Sequence, residues 1–454
     1  MNTDLFGVRH LFVACSVCVW ISINSSVGNA TEPVAISGVT MGTSYSVKIG
    51  GSVADTEPLI GVDAPAQVSP YEHLRNQIRD RLAEIDRRMS TYKDDSEVTR
   101  FNRSPADEWF TVSAETAHVV KKAMDISEQT GGAFDITVGP LVRLWNFGPS
   151  PKQRQTVPAD SGIEQAKALT GYSHVEVRLT PPSLRKAIDG LEIDLSGIAK
   201  GYAVDQIALV LESEGVSDFL VEIGGEIRTS GQRSADESAD RQWIVGIESP
   251  QSDKRAVATT LALKDAAMAS SGDYRNFFEL DGVRYSHTID PRTGRPIQHS
   301  LAAATVISSE CATADALATA LLVMGDDAAT FAERSEIQAL FFKHDGARDG
   351  QFSTIRSSTF PTVIASAAIV ATNGPAPATS YWRLLAASII VIGIALIAMA
   401  VGVIFSNRCV KGSCGGMEGL TDEHGRPLCE GCSNPSEECT TDPSLREHAA
   451  SHDH

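Results

Sequence analysis

The chain has 454 residues and a formal net charge of −18 at pH 7, long enough for roughly two to three domains with well-buried cores. No Lys/Arg cluster interrupts the acidic balance, which excludes a general electrostatic grip on a polyphosphate backbone, so nucleic acid is not an expected partner. A phosphate-bearing ligand would have to be held by a small local site or a bound cation.

The first element is a short apolar run over residues 11–23, behind Arg9 and His10 and ahead of the small residues Gly28 and Ala30. It reads as a secretory signal peptide over 1–30, with an uncleaved N-terminal anchor as the alternative. Next comes the turn Met41-Gly42-Thr43, followed by the alternation Tyr45, Val47, Ile49 of a half-buried strand. After an insert over 50–70 a helix is expected to begin: Ser69 can cap, Pro70 suits the first turn and Glu72 completes a capping box. Leu74, Ile78, Leu82 and Ile85 form its buried stripe.

Further helices are predicted over 113–130, stopped by Gly131-Gly132, over 198–214, stopped by Gly215, and over 311–324, stopped by Gly325. Strands are predicted over 218–223 and 243–247. Helices and strands mix without a glycine-rich dinucleotide fingerprint, so residues 31–360 are expected to form an α+β domain rather than a doubly wound parallel sheet. Residues 361–383, rich in Ala, Thr, Ser and Pro, read as a linker. Residues 384–405 carry no charge and, at about 1.5 Å per residue, reach across a hydrocarbon core of roughly 30 Å. They are expected to form a transmembrane helix. Arg408 and Lys411 follow it while only Arg383 precedes it, which places the tail 406–454 on the cytoplasmic side and the large domain outside.

Cysteine usage divides the same way. Cys15 and Cys18 lie in the signal segment and Cys311 is alone in the central region, whereas Cys409, Cys414, Cys429, Cys432 and Cys439 crowd the tail. The exported domain is therefore expected to have no internal disulfide, and the tail to hold thiolates that suit iron or zinc.

Three segments carry chemistry. In A-T-A-D-A-L-A-T-A-L-L-V-M-G, residues 312–325, Asp315 and Thr319 stand four apart and share a helix face. A carboxylate and a hydroxyl on an alanine surface suit magnesium, which takes oxygen ligands and completes its shell with substrate phosphates. The plainer reading has Thr319 bonded back to a helix carbonyl and Asp315 solvated. In S-H-T-I-D-P-R-T-G-R-P, residues 286–296, a tight turn holds His287 as a candidate base and Arg292 as a candidate phosphate ligand, or else is simply a well-made turn. In D-L-S-G-I-A-K-G-Y-A-V-D, residues 194–205, a strand is expected to end at Asp194 and a helix to open at Ser196-Gly197. Lys200, in its first turn, runs against the helix dipole, as a residue answering a negative ligand would, unless it is merely solvated. Gly131 to Leu141 allows close backbone approach beside Phe134, which on its own reads more readily as core.

Taken in order, M-G-T, S-T-Y, G-A-F-D with T-V-G-P-L, L-W-N-F-G, D-L-S-G-I-A-K-G-Y-A, G-G-E-I-R, S-G-D-Y, S-H-T-I-D-P-R-T-G and A-D-A-L-A-T-A resemble the ApbE family of FAD:protein FMN transferases over most of residues 34–340. The resemblance implies magnesium-dependent cleavage of FAD at its pyrophosphate, with FMN passed to a Thr or Ser hydroxyl of a partner protein and AMP released. It implies that Asp315, Thr319 and a backbone carbonyl near Gly197 ligate magnesium, and that His287 is the base. Met41, Tyr92, Ala133, Phe134, Asp135, Asp194, Lys200 and Ile289 would line the FAD site. Beyond the membrane segment, C-V-K-G-S-C-G-G and C-E-G-C, with Cys409, Cys414, Cys429 and Cys432, resemble the NqrM-like maturation factors of sodium-translocating NADH:quinone reductase. That second resemblance implies iron delivery to a complex whose subunits carry covalent FMN.

Overall fold

A computed structural model of the protein describes residues 34–50, 70–148, 156–233, 242–251, 256–345 and 352–364. The signal segment, the transmembrane span and the cysteine tail expected from the sequence lie outside the described residues. Among the described residues no helix is long and apolar enough to cross a membrane.

The central feature is one eight-stranded sheet: β1 (Val34–Thr40), β2 (Thr43–Ile49), β3 (Phe219–Ile223), β4 (Glu226–Ser230), β5 (Ala267–Gly272), β6 (Leu301–Ser308), β7 (Gln338–His344) and β8 (Phe352–Arg356). Each strand pairs antiparallel with the next in this order. The expected α+β class is therefore what forms, with an antiparallel sheet whose long connections hold the helices. Helices α1 (Pro70–Met89), α2 (Glu97–Asn102), α3 (Ala114–Gln129), α4 (Gly139–Leu144), α5 (Asp160–Lys167) and α6 (Ala199–Ser213) lie between β2 and β3, and α7 (Cys311–Met324) and α8 (Ala328–Arg334) between β6 and β7.

Alternation along the strands sorts two cores. Phe219, Val221, Ala267, Ala269, Ala304, Val306 and Phe341 face a core shared with the helices. Leu220, Met268, Ala303, Ile307, Leu340 and Phe342 face the hairpin Trp243–Glu248 and Val257–Leu263 on the opposite side. Phe360 is buried in this second core, and the Ile364 amide bonds the Thr260 carbonyl at 2.8 Å. Packed structure thus runs past Phe360, where the linker was expected to begin.

The α1 stripe is buried as its spacing requires, with Ile78 and Ile85 fully inside. Ser113 caps α3 by accepting from the Thr116 amide, and Gly131 and Gly132 end the helix at positive φ. Helix α7 has the limits read from the sequence, Gly325 standing at φ 63 just beyond it.

Two local expectations change. Asp194 does not end a strand: its amide bonds the Ile136 carbonyl at 2.6 Å, so this stretch is fastened to a short 3-10 turn rather than to a ladder. Helix α6 opens at Ala199, with Ile198 as its cap, not at Ser196-Gly197, because the Asp194 carboxylate takes the Ser196 amide and hydroxyl into a separate turn.

Candidate functional site

Helices α6 and α7 meet almost backbone to backbone. A Cβ on Gly201 would lie 2.4 Å from the Cys311 carbonyl oxygen, so only glycine permits this crossing. From α6, Asp205 accepts the Cys311 and Ala312 amides at 2.9 Å each and thereby caps α7 from another element. The close approach also brings the Gly201 amide to Asp315 Oδ2 at 3.0 Å. Asp315 is thus buried and held at the helix crossing, not solvated.

Thr319, one turn further along α7, does not bond back to its helix. Its hydroxyl lies 3.0 Å from that of Ser271 at the end of β5. A Cβ on Gly197 would stand 3.4 Å from Thr319 Oγ1 and 3.1 Å from Phe134 Cε2, which sets Gly197, Thr319 and Phe134 in one wall. All of these residues face a cleft of about 630 Å³.

Lys200 has a partner the sequence did not disclose. The two-residue turn Gly224-Gly225 joins β3 to β4 and delivers Glu226, whose Oε1 pairs with the Lys200 ammonium. Burial alone would lower the Lys200 pKa, but Asp315 and Glu226 outweigh it and hold the lysine firmly charged. Burial drives Asp315 the other way, up to about 7 against the pull of Lys200, with the negative Glu226 adding to the rise. The ligand that Lys200 answers is therefore first of all the protein's own carboxylates. Glu226 Oε2 is buried with no hydrogen-bond partner.

His287 lines the same cleft. Its segment is fixed because Trp145 Nε1 donates to the Gly294 carbonyl at 2.9 Å, docking the L-W-N-F-G loop on the D-P-R-T-G turn. Trp145, Phe147, Phe278 and Tyr285 form a chain of ring contacts, with Phe147 set edge-on to the His287 ring at 6.4 Å. His287 Nδ1 lies 3.0 Å from the Asn276 carbonyl oxygen. A carbonyl only accepts, so this contact puts the proton on Nδ1 and leaves Nε2 as the basic nitrogen. Burial in the packed cleft holds the His287 pKa below its usual 6.5, although the Asn276 bond and Asp273 oppose this. The shift favours the neutral ring, the form a base needs.

The other expected residues divide. Ala133, Phe134, Asp135, Asp194 and Ile289 line the same cleft, and Tyr92 stands at its edge with most of its surface exposed. Both Asp135 oxygens are engaged by the protein, one by the Thr137 amide and hydroxyl and one by the Tyr172 amide. Met41 sits at φ 48 in the β1–β2 turn, and Thr43 and Ser44 rather than Met41 line the cleft. Arg292 is not brought to the cleft: its guanidinium is paired with Asp290 in its own turn.

Among the described residues no group of three or more His, Cys, Asp or Glu side chains is placed to hold a metal. A cation here would depend on the Asp315 carboxylate, neutral oxygens such as that of Thr319, and phosphate oxygens of a substrate. That is the donor set of a hard ion such as magnesium, and the unpaired Glu226 oxygen adds to the negative field.

A buried carboxylate, a helix hydroxyl and a neutral imidazole facing one deep cleft define an enzyme built for group transfer on a phosphate-bearing substrate. The comparisons agree on which. The ApbE family model matches residues 41–341. The FAD:protein FMN transferase of Vibrio cholerae is 42% identical over 330 residues, covering 72% of this chain and 92% of that protein. That of Escherichia coli K12 is 38% identical over 315 residues, covering 69% and 84%. The solved flavin transferase ApbE from Vibrio cholerae matches with a TM-score of 0.61 at 40% identity, over 72% of this chain and 98% of that one. The apo form of Pseudomonas stutzeri flavinyl transferase ApbE gives 0.62 at 36% identity, over 72% and 95%. This chain belongs to the ApbE family.

Proposed function

We propose that the chain is a magnesium-dependent FAD:protein FMN transferase that joins FMN through a phosphoester to a Thr or Ser hydroxyl of another protein and releases AMP. The observation that carries this reading is the convergence of Asp315, Thr319 and the free Nε2 of His287 on one cleft large enough for a nucleotide. The acceptor oxygen attacks the phosphorus on the flavin side of the pyrophosphate, and His287 Nε2 takes the hydroxyl proton. The bond to the AMP phosphate breaks, and AMP leaves with the electron pair. Asp315 and Thr319, with the carbonyl of Gly197, would hold magnesium, which supplies charge neutralisation on the phosphates. Lys200, pinned by Glu226, adds a fixed positive charge, while Phe134, Phe147 and Ile289 supply apolar surface to the cleft.

Incubation with FAD, magnesium and a candidate acceptor tests this. Covalent flavin on the acceptor with release of AMP supports it. FAD cleaved with the acceptor unmodified would make the chain an FAD pyrophosphatase, and FAD bound without turnover would make it an assembly scaffold.

The sequence supports a wider arrangement: a catalytic domain on the periplasmic face of a bacterial inner membrane, tethered by residues 384–405, with an NqrM-like tail in the cytoplasm. Its acceptors would be subunits of a sodium-translocating NADH:quinone reductase, and tail thiolates at Cys409, Cys414, Cys429 and Cys432 would carry iron or zinc for the same complex. Labelling of Cys409 or Cys414 by an impermeant thiol reagent in intact cells would overturn this topology.

A further inference from the structure

The cleft is strongly acidic for a site that takes a pyrophosphate. Asp135, Asp194, Glu222, Glu226, Glu248 and Asp315 line it, against Lys200 and Arg275 as the lysine and arginine among its described lining residues. Lys200 is committed to Glu226 deep in the cleft. Arg275 is differently placed. Its side chain is 47% exposed, and its guanidinium is held by a single carboxylate, Glu248, itself 27% exposed.

The backbone on either side of Arg275 is fixed. Tyr274 is buried in the core beneath the Trp243–Glu248 hairpin, and the Asn276 carbonyl takes both the amide and Nδ1 of His287. The arginine is therefore a half-exposed cation between two anchored neighbours, one residue from the carbonyl that orients the candidate base. An ion pair this exposed is worth at most about 1 kcal/mol, so exchanging the carboxylate for a phosphate costs little. A guanidinium meets two phosphate oxygens in one plane, which a lysine does not.

We propose that Arg275 binds a phosphate of the flavin nucleotide, releasing Glu248 as the substrate enters, so that Glu248 competes with substrate for the arginine. This rests on the flavin-nucleotide reading of the cleft. It makes Arg275 a residue that distinguishes a phosphorylated flavin from an unphosphorylated one.

The test measures binding by flavin fluorescence on the purified full-length chain, with EDTA present, using FAD and, as the phosphate-free probe, riboflavin. Arg275→Gln should weaken FAD binding by about 10- to 100-fold, the worth of a charged hydrogen-bonding group, and change riboflavin binding by less than about twofold. Arg275→Lys should fall between wild type and Arg275→Gln. Glu248→Gln leaves the arginine in place and frees it, so FAD binding should tighten by about two- to fivefold, the weight of an exposed pair. Glu248→Gln made in the Arg275→Gln background should lose that gain, which separates competition for the arginine from the simple loss of a negative charge in an acidic cleft. Unchanged FAD binding in Arg275→Gln, equal losses for both ligands, or weaker FAD binding in Glu248→Gln would each overturn the proposal while leaving flavin transfer standing. A wild-type chain that binds neither ligand would overturn the reading of the cleft itself.

Discussion

Replacing His287 with glutamine removes the basic nitrogen and keeps a polar side chain of similar reach. The ring is held by the Asn276 carbonyl at 3.0 Å and by the edge of Phe147, so its loss should disturb the cleft locally and leave the sheet intact. A positioned general base contributes about 10²- to 10⁴-fold, and kcat for flavin transfer should fall by that factor. FAD affinity should move by no more than about threefold, because the contribution arises in the transition state. The pH dependence gives a second reading. Burial holds the His287 pKa below 6.5, so the active neutral form is favoured at neutral pH and is lost as pH falls through that lower value. Asp315 also titrates in the metal-free cleft, so the profile is taken at saturating magnesium, which keeps that carboxylate ionised; kcat/KM should then show an acid limb below pH 6.5 that the variant lacks. The assay is initial-rate transfer over an FAD concentration series, quenched and read by mass analysis. An unchanged kcat with a raised FAD requirement would refute the assignment and make His287 a binding residue.

Asp315→Ala should abolish magnesium-dependent transfer and leave the melting temperature within a few degrees, since the gain from deleting a desolvated carboxylate offsets the loss of the Gly201 amide's partner and of one of the two carboxylates facing Lys200, which keeps its pair with Glu226. Wild-type turnover across a magnesium series would contradict this. Glu97 accepts the Thr116 hydroxyl at 2.6 Å and the Ser113 amide and hydroxyl at 3.0 and 2.8 Å, stitching α2 to the start of α3. Burial works to raise its pKa, but these bonds and Arg88 hold it below 4.5. Its contribution to stability is therefore complete above pH 4.5 and is lost as pH falls through the lower folded value. Glu97→Gln should flatten the acid side of a melting-temperature-against-pH curve, and an unaltered slope would refute the linkage. Ile85→Ala, at a fully buried position of the α1 stripe, should cost about 2–5 kcal/mol by urea unfolding with little change in m.

Local signals in the sequence were enough for much of the fold. The Ala-rich run ended by Gly325 gives α7 its observed limits, and the spacing of Leu74, Ile78, Leu82 and Ile85 gives the buried face of α1. The antiparallel order of the sheet was not legible, because the partners β2 and β3 are separated by six helices and no local pattern records their register. The candidate site was readable as segments and not as contacts. Asp315, Thr319, Gly197 and His287 all line one cleft. The partner of Lys200 was hidden, since Glu226 reaches it only through the β3–β4 turn. The glutamate does stand in G-G-E-I-R, and a Gly-Gly hairpin turn followed by a buried acid was the signal available. Arg292 looked free in the sequence because nothing there shows that its own turn aspartate, Asp290, would claim it. An extended segment at Asp194 passed for a strand because both have the same local pattern, and only a ladder partner separates them.

The most direct test of the central claim is a mass balance on one reaction, with the full-length chain, FAD, magnesium and a candidate redox-complex subunit incubated together. The account predicts that each FAD consumed leaves one AMP in solution and one FMN on a Ser or Thr of the acceptor, with no free FMN formed. Equal amounts of free FMN and AMP beside an unmodified acceptor would contradict it.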